Sequence, residues 1–157
     1  MGRHITKEAG FTLVEVLSVL VVIGLMSSVV ILSIPQPKSG LERQAERLSV
    51  ELNALAQDGL ISGSVAAAGF SRDGYVLYSF ENSEWTERVS ADWQDRYRMT
   101  LTRASAKLDL PKTADPIILF QPTGLSTPFE FTLSDRETKY ALTTTGNGRI
   151  DLVKSIP

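Results

Sequence analysis

The feature that most constrains this chain is an uncharged run: from Val16 through Pro37 no side chain carries a charge. A helix from Phe11 to Ile34 reaches roughly 36 Å at about 1.5 Å per residue, enough to cross a bilayer core of about 30 Å with some tilt. Ahead of it Arg3, His4 and Lys7 form a short basic head, which favours a cytoplasmic N-terminus. After Ser39 the sequence turns polar and alternating, the texture of a globular domain. The chain reads as one membrane helix carrying one soluble domain on the far side.

Glu15 does not suit an ordinary anchor. A carboxylate near the centre of a membrane helix costs ~2.5–3.5 kcal/mol on insertion scales, so it is usually paired and functional, unless it lies close enough to the interface to reach headgroups. Its neighbours are informative. Gly10-Phe11-Thr12-Leu13-Val14-Glu15, behind a basic leader and ahead of an uninterrupted apolar helix, resembles the processing site of type IV pilins and type II secretion pseudopilins. The resemblance implies that a prepilin peptidase cuts between Gly10 and Phe11 and methylates the new Phe11 amine. Glu15 then neutralises the N-terminal amine of a neighbouring subunit as helices slide together in lipid, removing two unpaired charges at once. A secretory signal peptide is the competing reading. Its apolar core is about 7–15 residues and ends in a small-residue site, whereas Ile31-Leu32-Ser33-Ile34-Pro35 offers no Ala-x-Ala pattern.

The 157 residues, about 147 without the first 10, suffice for one modest globular domain beside the helix. Cysteine is absent, which excludes disulfides and thiolate–metal chemistry. The net charge is −2, and removal of Arg3, Lys7 and Glu8 with the leader leaves about −3 on the mature side chains. That balance argues against a nucleic-acid partner, which calls for a basic patch and high pI.

Taken in order, residues 1–10 are a leader, 11–34 the membrane and assembly helix, 35–40 a kink or linker, and 41–157 a periplasmic domain. Gly24, Ser27 and Ser28 let helices approach closely; Pro35 and Pro37 interrupt the helix. Ser39-Gly40-Leu41-Glu42 has the form of a capping box, so a second helix restarts there and runs over about 41–62. Leu41, Ala45, Leu48, Leu52, Leu55 and Gly59 place one apolar stripe along it, a seam for the domain's own sheet. Arg43/Glu46 and Arg47/Glu51 are spaced as exposed pairs. The period then becomes two. Strands are expected at Val65–Phe70 and Tyr75–Phe80 around the turn 71–74. Residues 81–96, polar and acidic, read as a loop in which Trp85 and Trp93 anchor against the sheet. Tyr97, Met99 and Leu101 alternate, and a polar connection leads to Ile117-Ile118-Leu119-Phe120, too uniformly apolar for an exposed edge. A turn at Pro122-Thr123-Gly124 precedes the alternating Phe129, Phe131 and Leu133. Tyr140/Leu142 and Ile150/Leu152 complete the pattern around turns at 134–137 and 146–148. The predicted class is α+β: a long N-terminal helix, half in the membrane and half amphipathic, packed on antiparallel β-sheets.

The block Ile118-Leu119-Phe120-Gln121-Pro122-Thr123-Gly124-Leu125-Ser126-Thr127-Pro128-Phe129-Glu130-Phe131-Thr132-Leu133, with Gly148 before a closing apolar strand, resembles the C-terminal block of H-type minor pseudopilins, the GspH family. Residues 81–116 match nothing nameable. The resemblance implies the pilin-like fold, the bacterial inner membrane, and a place near the tip of a periplasmic pseudopilus. The implied partners are the I, J and K minor pseudopilins, the major pseudopilin G and the prepilin peptidase. Glu15 sets the chain apart from K-type tip subunits, which lack that glutamate. The calcium-loop acids of the major pseudopilin have no evident counterpart.

Catalysis is not expected. The one histidine, His4, belongs to the leader, and without cysteine or a second histidine neither Ser-His-Asp nor Cys-His chemistry assembles. No GxGxxG or Walker pattern occurs. Asp92/Asp95 and Asp135/Glu137 read as solvated surface acids, and Gly146-Asn147-Gly148-Arg149-Ile150-Asp151 as a turn rather than a calcium loop. No cofactor or metal is expected. Two alternatives remain. One is a minor pilin of a type IV pilus or DNA-uptake machine, some of which bind DNA through Gly-Arg-x-Arg; here Gly148-Arg149-Ile150-Asp151 puts an acid in the last place. The other is a bitopic periplasmic binding domain with an uncleaved anchor.

Overall fold

The structure is a computed structural model that describes residues 12–32 and 38–156, with side chains in the first segment described as far as Met26. The chain divides into two compact units, residues 1–37 and 38–157. In the first, helix α1 spans Leu13–Leu32 and is apolar on all sides. Every side chain from Thr12 to Met26 is exposed. Among the described residues no helix is long and apolar enough to cross a membrane.

The second unit opens with α2, Gly40–Ser62. Ser39 caps it, its hydroxyl accepting the Glu42 N–H at 3.1 Å, and Gly63 ends it in the left-handed region at φ 69°. The buried face is the stripe read from the sequence, Leu41, Ala45, Leu48, Leu52, Leu55 and Gly59, joined by Gln44 and Ala56. Of the expected exposed pairs, Arg47–Glu51 forms at 2.8 Å. Arg43 and Glu46 do not pair: Glu46 is held by Lys38 at 2.6 Å, and Arg43 donates to the Lys38 carbonyl. Lys38, ahead of the helix, takes both groups from the expected pair.

Nine strands follow: β1 Ala66–Phe70, β2 Gly74–Glu81, β3 Glu84–Asp92, β4 Arg98–Arg103, β5 Ala106–Leu108, β6 Ile118–Phe120, β7 Phe129–Ser134, β8 Lys139–Thr144 and β9 Asp151–Ser155. They form two antiparallel sheets, ordered β3-β2-β1-β6 and β5-β4-β7-β8-β9. Helix α2 packs on strands of both sheets. Phe131 of β7 stacks on Phe70 of β1 with ring centres 4.4 Å apart, and on Trp93 at 5.6 Å. One aromatic column thus joins the sheets, and such rings bury on the order of 150–250 Å² each.

Three expectations need correction. The loop expected over 81–96 is largely strand β3. Asn82 and Ser83, at φ 51° and 67°, make a two-residue hairpin turn. A register shift leaves Arg88 as an extra residue between the Leu77–Val89 and Tyr78–Glu87 pairs. That bulge breaks the period-two signal, and the exposed start of this edge strand lacks a buried face to impose one. Trp85 therefore lies on a strand, against Tyr78 and Phe80; Trp93 does anchor a loop, its indole N–H donating to the Ser71 carbonyl at 3.1 Å. Second, the polar connection contains β5, reached through Ala104 and Ser105 at φ 45° and 70°. Third, Ile118–Phe120 is an edge strand after all, with Leu119 turned outward. Its free side is partly closed by residues 125–127: Thr127 N–H donates to the Leu119 carbonyl at 2.9 Å, and Gln121 N–H to the Leu125 carbonyl at 2.8 Å.

The segment before β6 crosses directly over Gly69. A Cβ there would stand 1.9 Å from the Ala114 carbonyl oxygen, and Ala114 is itself held by the Tyr78 hydroxyl at 2.8 Å. Gly69→Ala is expected to lower stability by about 1–3 kcal/mol through overpacking, read by chemical denaturation; wild-type stability in that variant would contradict the crossing.

Candidate assembly site

The site residues read from the sequence fall on the N-terminal segment. Gly10 and Phe11 lie outside the described residues. Glu15 occupies the first turn of α1. Thr12 caps that turn: its hydroxyl accepts the Glu15 N–H at 3.3 Å, and its carbonyl accepts the Val16 N–H at 3.3 Å. The Ser18 hydroxyl donates to the Glu15 carbonyl at 2.8 Å. Glu15 shares a shallow apolar depression with Val16, Val19 and Leu20, and Leu13 and Leu17 border the same face. Among the described residues its carboxylate has no ion-pair partner. This is one anionic group on a wholly apolar helix, next to a helix N-terminus. The macrodipole favours a carboxylate in that turn, yet burial in lipid or among helices requires a cation. The cap was legible: Thr12-Leu13-Val14-Glu15 has the Thr-x-x-Glu spacing of a capping box, and attention to the charge alone passes over it.

In the globular unit two side-chain amides, not singled out from the sequence, fix the surfaces beside α2. Asn53 acts as a miniature strand: its Nδ2–H donates to the Ile150 carbonyl at 3.0 Å and its Oδ1 accepts the Ile150 N–H at 3.2 Å. Gln44 is buried, donates to the Asp92 carbonyl at 3.3 Å and accepts the Gln94 N–H at 3.1 Å. Neither carries a sequence signal, because each is a polar residue on an otherwise apolar stripe. Beside them the Tyr75 hydroxyl donates to Glu51 at 2.6 Å, and burial together with that carboxylate pushes the phenol well above its usual range. A neutral phenol locked to an ion pair is a structural tie. Arg149 is paired with Asp151 at 3.1 Å, so the acid of Gly148-Arg149-Ile150-Asp151 engages the arginine that precedes it. Among the described residues no group of three histidines, cysteines or carboxylates is placed to hold a metal ion.

Asn53→Leu leaves both Ile150 backbone groups without these partners and is expected to destabilise the domain by about 1–3 kcal/mol. Equilibrium denaturation checks this, and an unchanged midpoint would contradict the assigned tie.

Comparison with known proteins supplies two findings. Residues 5–34 match the prokaryotic N-terminal methylation motif. No curated protein sequence matches the chain. Among solved structures, the minor pseudopilin EpsH from the type 2 secretion system of Vibrio cholerae superposes with a TM-score of 0.61 at 13% identity, over 73% of this chain and 96% of that one. A second structure of the same pseudopilin gives 0.60 at 15% identity, over 73% and 93%. The solution structure of E. coli GspH gives 0.51 at 16% identity, over 71% and 84%. The chain therefore combines an N-terminal methylation motif with the α+β fold of the H-type minor pseudopilins.

Proposed function

We propose that this protein is a minor pseudopilin of the H type, a structural subunit near the tip of the periplasmic pseudopilus that drives export by type II secretion. The observation that carries the proposal is the coincidence, in one chain, of the methylation motif over residues 5–34 with a fold shared with EpsH and GspH. Together they support the pseudopilin reading more strongly than either does alone. The similar structures come from type II pseudopilins, which favours that machine over a type IV pilus, as does the pairing of Arg149 with Asp151.

In this reading residues 11–34 anchor the protein in the bacterial inner membrane with the globular domain in the periplasm. The prepilin peptidase cuts between Gly10 and Phe11 and methylates Phe11. The protein is a substrate of that enzyme and performs no catalysis itself. When the subunit joins the filament, Glu15 approaches the cationic amine of Phe11 in a neighbouring subunit. A single charge of either sign in an apolar bundle is strongly unfavourable, and breaking such a pair by removing one partner costs about 3–5 kcal/mol. The pairing therefore sets the axial register of one helix on the next. The I, J and K minor pseudopilins and the major pseudopilin G are the neighbours this role requires.

Two variants test the proposal in cells that hold the peptidase. Gly10→Val is expected to block cleavage, so that the intact mass retains residues 1–10. Glu15→Ala is expected to be cleaved and methylated normally, yet to lose co-purification with the other pseudopilins and to lower secretion to the level of a deletion. A cleaved Glu15→Ala protein that assembles and supports secretion would overturn the role given to the carboxylate. A wild-type protein that keeps its leader would favour an uncleaved anchored binding domain.

A further inference from the structure

The second sheet ends in a basic edge that no part of the assembly reading uses. β4 begins at Arg98 opposite Ser134 of β7, and β8 begins at Lys139 opposite Ser155 of β9. Arg96, Arg98 and Arg136 line one open depression with Ser134, Asp135 and Glu137. The three guanidiniums are exposed, and among the described residues none has a carboxylate at ion-pair distance. Asp135 is engaged by its own turn: its Oδ1 accepts the N–H groups of Glu137 and Thr138 at 2.8 Å each, which holds the carboxyl below its usual range. Lys139 and Lys154 continue the edge, with Lys154 Nζ 5.6 Å from the centre of the Tyr140 ring. Two further acids border the edge: Glu137, exposed in the same depression, and Asp95, which accepts from the Tyr97 hydroxyl at 3.4 Å. In a chain of net charge −2, cations outnumber acids along this edge.

The edge lies beside the start of α2. A Cβ on Gly40 would stand 3.4 Å from the Tyr97 hydroxyl and 3.6 Å from Asp95. Residues 33–37 alone join α1 to the second unit, a tether that spans at most about 20 Å. A charged surface at the end of an apolar helix is thus within reach of this edge before any partner subunit arrives.

We propose that the edge centred on Arg96, Arg98 and Arg136 seats anionic phospholipid headgroups and holds the globular domain against the membrane until the subunit is extracted into the filament. The inference rests on reading residues 11–34 as a membrane anchor. The planar guanidinium pairs two phosphate oxygens at once and sheds its hydration more readily than an ammonium. Three of them lining one depression offer a headgroup donors without a competing internal ion pair, while the Ser134 hydroxyl is engaged with the Arg98 carbonyl at 3.2 Å. The attraction is electrostatic and falls off within a Debye length, so it ends once extraction lifts the domain away from the lipid surface. An acidic face on a neighbouring subunit carries similar charge, but the short tether makes the membrane the first anion available.

The test is amide hydrogen exchange on the full chain in lipid nanodiscs made of phosphatidylcholine alone or of phosphatidylcholine with phosphatidylglycerol. Residues 96–98 and 134–139 are expected to exchange several-fold more slowly in the phosphatidylglycerol discs. High salt and the triple substitution Arg96→Gln, Arg98→Gln, Arg136→Gln should each remove the difference, while exchange in α2 stays unchanged and reports an intact fold. Equal exchange in the two lipids, or protection that survives the triple substitution, would overturn the inference. So would protection that appears only when an acidic partner subunit is added, which would make the edge a protein-docking surface. Neither result touches the pseudopilin reading. A chain that fails to enter discs of either kind would overturn the anchor reading, and this inference with it.

Discussion

Everything in the globular unit depends on one apolar stripe. Leu48 and Leu52 of α2 are fully buried, as are Phe131, Leu133 and Leu142 of the second sheet and Phe70 of the first. Small domains bury a smaller fraction of their surface than large ones, so the apolar faces of both sheets need a common partner. A single helix that packs on both sheets solves this, and the Phe70–Phe131 stack at 4.4 Å joins the sheets beside it. The polar ties of Asn53 and Gln44 then fix which backbone segments border the helix. The consequence is one helix that ties both sheets into a single unit.

Helix α1 follows different physics. Among the described residues of its unit it meets no core, and its side chains from Leu13 to Met26 are all exposed. Such a helix is completed by lipid or by other helices. In either medium a lone carboxylate such as that of Glu15 is costly unless a cation pairs with it, which is the basis of the proposed pairing. The globular unit is thus stabilised by non-directional burial, whereas in the proposed filament the register of α1 on its neighbours would be specified by one charge. A structural subunit that must first reside in a bilayer and later in a filament requires this separation. On the proposed reading, packing keeps the domain intact in both settings, while one ion pair distinguishes them.

Much of this was legible in the sequence, for identifiable reasons. The stripe Leu41 to Gly59 is a clean helical period with a capping serine ahead and Gly63 behind, so local and tertiary preferences agree. Turns that carry glycine, at 71–74 and 146–148, announce their strands. The turns at Asn82-Ser83 and Ala104-Ser105 adopt positive φ without glycine, so β3 and β5 went unread, and the bulge at Arg88 erased the alternation that remained in β3. Leu119 misled because an edge strand can keep an outward leucine when another segment closes its free side. At the candidate site Glu15 stood out because a lone carboxylate in an apolar run is costly. Asn53, Gln44 and the arginine edge were invisible, since their partners lie tens of residues away and only the folded chain brings them together.

The most direct measurement is made on a clean deletion strain, scoring exoprotein secretion beside surface piliation and DNA uptake. The account predicts that secretion is lost, that pili and uptake stay normal, and that the wild-type chain restores export. Normal secretion with lost pili or uptake would contradict the assignment to type II secretion and move the subunit to a type IV machine.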